Sequence, residues 1–239
     1  MHAIWVITKK ELQSFFDSLI AYIMLVLFLG FSGFFTWLYG NDIFLVGQAS
    51  LEGFFSIAFW TLFFFIPALT MRLLAEEKKT GTIEMLLTKA VTDREVVIGK
   101  FFSTLLLIGI ALLFTLPYVF TVASIGNLDL GQVACGYLGL LLMSGAYISI
   151  GLYASSITNN QIVAFLTALF IGLFFHLIFD VLAGNFTGFI GQLLITLSVS
   201  SHYESITRGV MDTRDLIYFL SVIFAGLFLS ELSLSKRNL

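Results

Sequence analysis

Charge is scarce in this chain. Asp, Glu, Lys and Arg make up 11% of its 239 residues, 59% are hydrophobic, and the mean hydropathy is +1.00. A soluble domain is nearer about a quarter charged, so an ordinary water-soluble fold is excluded. Cysteine is almost absent as well. The single Cys135 excludes an internal disulfide and a cysteine-based zinc site, and inside its apolar run it is expected to pack as a small apolar residue. The nucleotide signature GxxxxGK[ST] is missing, because Gly99-Lys100 is followed by Phe101 and lacks the upstream glycine. Neither GxSxG nor HExxH occurs, which removes two protease signatures. Long linkers, low-complexity tracts and internal repeats are also lacking, so residues 1–239 read as one domain.

Long apolar runs fill the space. A helix needs about 20 apolar residues to cross hydrocarbon, and six segments meet that need: about 19–39, 53–71, 98–122, 132–155, 162–183 and 214–234. The expected fold is an all-α integral membrane protein with six transmembrane helices. The first run, Ser18 to Asn41, is charge-free over 24 residues. That exceeds a cleavable signal core, and the run is expected to stay as a signal anchor. The 27 phenylalanines suit lipid-facing and helix-packing surfaces. Pro67 is expected to kink the second span near its end, and Pro117 lies toward the end of the third. The fourth span is rich in small residues, including Gly136, Gly139, Gly145, Ser149 and Gly151, which let membrane helices approach closely.

Two further segments are amphipathic. In residues 1–18, Ile4, Ile7, Leu12, Phe15 and Phe16 lean to one face while Lys9, Lys10, Glu11 and Gln13 fill much of the other. This reads as an interfacial helix with its lysines toward lipid headgroups; the alternative is that it forms the first turns of span one. The charge-free run from Val181 to Tyr203 could pass for another span. Its many Gly, Ser, Thr, Asn and Gln residues are too polar for lipid, so the outer segment 184–213 is expected to hold amphipathic or re-entrant helices.

Orientation follows from the cations. With six spans and both termini inside, ten of the twelve Lys and Arg residues are cytoplasmic, and only Arg208 and Arg214 lie outside. The expected location is a bacterial cytoplasmic (inner) membrane, with lipid as one partner. No nucleic-acid partner is expected.

The densest charge lies at 72–100, which holds six of the twelve Lys and Arg residues and five of the fifteen acids. Glu76 and Lys79 sit one turn apart, and Gly81 permits a sharp break. Ile83, Leu86 and Leu87 then share a helical face, and Thr92 to Glu95 has the pattern of a capping box. Two readings stay open on these residues: a charged loop lying on the membrane, or a short helix that docks on something.

Within the spans, His176 and Asp180 stand out as ionisable residues four apart in the fifth, expected on one face. They could hold a metal or proton, line an outer cavity, or serve structure through a pair between Asp180 and Arg208 or Arg214. The structural pair is the favoured reading. His202 and Glu204 lie in the same outer segment without a nameable third catalytic partner.

The stretch EEKKTGTIEMLLTKAVTDREVVIGKF resembles the loop after the second helix in permeases of the ABC-2 type. SSITNNQIVAFL at 155–166 is similar to that family's start of span five. SSHYESITRGVMDTRDLIYFLS at 200–221 resembles the outer segment and last helix of the branch associated with bacterial gliding motility. The resemblance implies that a coupling helix formed by Gly81, Thr82, Ile83, Glu84, Leu86 and Leu87 docks on a cytoplasmic ABC ATPase. It implies that the partner binds ATP and Mg, that this chain is not an enzyme and holds no cofactor, and that a second copy or a related membrane protein pairs with it. A non-transporting scaffold that transmits ATPase motion is the alternative. An ion-coupled secondary transporter would usually show more intramembrane charge.

Overall fold

The computed structural model describes residues 2–38, 49–82, 91–186 and 188–236. Among the described residues all regular structure is helical. Six helices are long and apolar enough to cross a membrane: Ile20–Trp37, Glu52–Thr80, Asp93–Ile125, Leu130–Ser156, Gln161–Ala183 and Thr213–Ser235. The chain is therefore an all-α integral membrane protein with six candidate spans.

The fourth span is the core. In its apolar window 67% of residues are buried, against 17–56% in the others, and it packs on spans two, three, five and six. Its small residues explain the closeness. A Cβ at Gly136 would lie 2.5–2.7 Å from the Phe55 ring, and one at Gly145 2.9 Å from Ile223 Cδ1. Gly151 meets Thr70 of span two just as tightly. Without a hydrophobic force between helices in lipid, such close packing is what holds a bundle together.

The N-terminal helix His2–Asp17 is separate from span one. The chain breaks at Ser18-Leu19, where Leu19 takes a left-handed φ of 59°, unusual for a branched residue. The helix is amphipathic as its pattern implied. Its expected side turns to the bundle, with Ile7 and Phe15 buried and Ile4, Leu12 and Phe16 half-buried, while Trp5 and Val6 lie off that side and are exposed. The helix packs on the start of span three at Gly99, where a Cβ would sit 2.7 Å from Ile7 Cγ2. Thr8 Oγ1 donates to the Gly99 carbonyl at 3.1 Å. The alternative that these residues are the first turns of span one is thus corrected.

Span three bends at Phe114-Thr115, and Pro117 falls in the first turn of the second piece, Leu116–Ile125, where its missing N–H costs nothing. The run 181–203 does not span. It yields the helices Phe189–Leu197 and Val199–Thr207, joined at Ser198, whose Oγ accepts from Ser201 N. At about 1.5 Å per residue neither could cross hydrocarbon. The second helix seats Tyr203 and Ile206 against Gly139 of span four.

Contacts place the N-terminal helix, the residues on both sides of 83–90, and the last turns of spans four and six at one end of the bundle. Ser233 Oγ, for example, donates to the Ser156 carbonyl at 3.0 Å. We call this the loop end. The segment 184–213 caps the opposite, far end.

Candidate functional site

At the loop end, the two feet of the charged segment are tied to each other. The second span runs to Thr70, loosens over 71–74, and continues as a short helix Ala75–Thr80. Ser155 of span four fills the break: its hydroxyl accepts from Leu74 N and Ala75 N at 3.1 and 3.0 Å and donates to Met71 O at 3.0 Å. Backbone groups freed by the break are thereby satisfied inside the protein, as a helix interrupted near a membrane requires. Lys78 Nζ donates to the Ser156 carbonyl.

Lys100 is the tie itself. It is 1% exposed, and its ammonium lies 2.7 Å from Glu77 Oε1 and 3.1 Å from Glu11 Oε1. One cation thus joins the outgoing foot, the returning foot and the N-terminal helix. Residues 99 and 100 act together: Gly99 lets the N-terminal helix come close, and Lys100 anchors it. The sequence pattern contained this Gly-Lys pair, but nothing local identified Glu11 and Glu77 as its partners.

The returning foot starts with the expected capping box. Glu95 N donates to Thr92 Oγ1 at 3.3 Å and Thr92 N donates to Glu95 Oε2 at 3.0 Å. Gly81 ends the Ala75–Thr80 helix with φ 72°, in the left-handed region that favours glycine. Thr82 Oγ1 lies 2.9 Å from Thr80 Oγ1, and both are exposed. Ile83, Glu84, Leu86 and Leu87 lie outside the described residues.

At the far end, His176 and Asp180 differ in burial. Residues Phe174–Ile178 form a π-helical turn, and Phe179 N bonds back to Phe174 O. His176 points inward and is wholly buried, whereas Asp180 is exposed to a cavity. Among the described residues Asp180 joins no ion pair with Arg208 or Arg214, and Arg214 lies exposed on the first turn of span six. Arg208 instead donates from Nε to the Glu204 carbonyl at 3.2 Å.

His176 sits in an aromatic stack. Phe59 and Phe63, one helical turn apart on span two, lie against its ring at 4.2 and 4.3 Å with interplanar angles of 21° and 22°. Tyr203 continues the stack on Phe59 at 4.4 Å, and Trp60 meets His176 edge-on at 4.4 Å. Tyr147 Oη is 2.8 Å from Nδ1, and Nε2 has no hydrogen-bond partner. Aromatic pairs of this kind contribute about 0.5–1.5 kcal/mol each beyond burial, so the stack binds span two, span five and the far-end helix together. Burial pushes the Tyr203 phenol above its ordinary range, keeping it a neutral donor to the Phe55 carbonyl at 3.1 Å.

The acid that the far-end segment does pair was not expected from sequence. Asp215, in the first turn of span six, lies 2.6 Å from His202 Nδ1, and the imidazole stacks on Tyr218 at 4.1 Å. Among the described residues no three His, Cys, Asp or Glu side chains converge as metal ligands.

Six apolar helices of sufficient length define a multi-pass membrane protein. The chain belongs to the ABC-2 family: the family model "ABC-2 family transporter protein" matches residues 5–227. No curated protein matches the chain.

Proposed function

We propose that this ABC-2 permease is driven by a separate cytoplasmic ATPase that docks on residues 80–91, with the loop end inside the cell. The observation that supports this most is the Glu77–Lys100 ion pair, which joins the two feet of that segment. A push on 83–90 would reach a closed, braced base. From there Ser155 and the Lys78–Ser156 bond lead into the central span, and Glu11 leads into the N-terminal helix. Such a contiguous two-ended network is the physical means by which a docked partner's motion reaches packed helices.

Pairing with a second copy or a related permease, and placement in a bacterial inner membrane, belong to the same reading. The gliding-motility assignment rests on the likeness at 200–221 alone. ATP and Mg would be held by the partner.

Leu86→Asp tests docking. A charge buried in the ATPase groove costs several kcal/mol by rough estimate, so the ATPase should be lost on co-purification while permease yield stays at the wild-type level. Glu84→Ala should act more mildly, since a rim charge is worth about 0–1 kcal/mol. Full ATPase recovery with Leu86→Asp would make 72–100 an ordinary charged loop.

Sidedness has its own test. Single cysteines at Lys9, Thr80, Asn185 and Asp212, placed in a Cys135→Ser background, should label inside, inside, outside and outside. Labelling of Asn185 and Asp212 from opposite faces would overturn the six-span topology.

A further inference from the structure

The far-end cavity encloses about 540 Å³, within the range of about 300–1,000 Å³ usual for small-molecule sites. Four elements converge on it. Span two contributes Glu52, Phe55, Phe59 and Trp60, and span four contributes Gln132. Span five contributes Asp180, and the far-end helix contributes Tyr203, Glu204 and Arg208. We propose that this cavity is a binding site for an organic ammonium group.

Charge selects the class. Three carboxylates and one guanidinium line the cavity, and none of the four is in an ion pair among the described residues. Gln132 Nε2 donates to Glu52 Oε1 at 3.1 Å, and Arg208 is drawn to the Glu204 carbonyl. The lining is therefore net negative. In a cleft with low-dielectric walls that field is concentrated, so it attracts a cation and repels an anion.

The wall selects further. Trp60 is 41% exposed, and its neighbours Phe59 and Tyr203 are locked in the ring stack. An indole held on a rigid wall beside carboxylates suits a poorly hydrated ammonium, which gains from the ring face as well as the charge. A strongly hydrated metal ion would use neither the ring nor the volume.

The π turn borders this site. Asp180, just past this turn, lines the cavity, while His176 within it is buried against Phe59 and Trp60 with its Nε2 unpartnered. This stretch of span five thus carries a buried histidine and, one turn on, an acid that lines the cavity. π turns recur where a helix has to present a functional side chain.

The site lies wholly within the permease, so it does not depend on ATPase docking. Tetraethylammonium is the probe, titrated into the chain in dodecyl maltoside, a detergent without an ammonium group. Trp60 fluorescence is isolated by Trp5→Phe and Trp37→Phe. We expect saturable quenching by tetraethylammonium and none by propanesulfonate. Asp180→Asn and Glu204→Gln should each weaken binding about tenfold, the scale of one lost charge contact. Arg208→Gln should tighten it by removing the competing cation. Arg208 is exposed, so this variant keeps the test decisive if an acid variant misfolds.

Phosphatidylethanolamine added to the micelles separates two sources of the ligand. Displacement of the probe identifies a lipid headgroup, and its absence a soluble amine. Equal binding of propanesulfonate, or an affinity unchanged in Asp180→Asn and Arg208→Gln, would overturn the proposal.

Discussion

Replacing Lys100 with methionine is expected to destabilise the protein by about 3–5 kcal/mol, the cost of breaking a buried ion pair from one side. Methionine nearly matches the lysine stem in volume, so packing is largely kept and the loss is electrostatic. Glu11 and Glu77, now 13% and 17% exposed, would be left facing each other without their shared cation. The N-terminal helix would lose its charged anchor, and the feet of the 72–100 segment would no longer be joined. The measurement is thermal unfolding and monodisperse yield in detergent. Adding Glu11→Gln and Glu77→Gln to Lys100→Met should recover much of the loss, because a neutral set leaves no unpaired charge. Glu11→Gln alone should cost less than Lys100→Met, since Glu77 still holds the ammonium. A Lys100→Met protein that melts with wild type would show that the triad braces nothing.

Gly226→Leu should be at least as damaging. This glycine of span six lies flat on Ser149 of the central span, where even a methyl would come within 2.5 Å of Oγ, 2.7 Å of Cβ and 2.8 Å of the carbonyl carbon. The hydroxyl can rotate, but the backbone atom cannot, so the two helices would have to separate. Overpacking a filled interior typically costs about 1–3 kcal/mol, and the full leucine adds atoms where none fit. The bond from Ser149 Oγ to the Val222 carbonyl would be lost as well. We expect little folded protein, with Gly226→Ala intermediate. Gly30→Leu is the control, because a Cβ there has nothing within 4 Å. If Gly226→Leu is recovered at the Gly30→Leu level, spans four and six are not joined at this point.

Much of the architecture is determined by local sequence. Six apolar runs of sufficient length dictate six helices, because an unsatisfied backbone cannot cross lipid in any other open form. The polar run after span five forms two nine-residue helices rather than a further span-length one, and Thr92 with Glu95 forms its box from residues three apart. The left-handed turn at Gly81 is likewise a local matter. Periods and caps depend on neighbours within a turn or two, so they can be read along the chain.

Pairing across the bundle could not be read that way. Glu11, Glu77 and Lys100 are separated by 23 and 89 positions, and many charged residues in the segment were equally plausible partners before the helices packed. The same holds for Asp215, which meets His202 rather than either nearby arginine. His176 and Asp180 show the limit most sharply. Their spacing said nothing of burial, and only the packed bundle puts His176 between Phe59 and Phe63 in the aromatic core and Asp180 in the lining of the cavity. Sequence alone thus determined which segments cross the membrane. The tertiary structure decided which side chains meet, because those contacts depend on helix separations and rotations that no local pattern encodes.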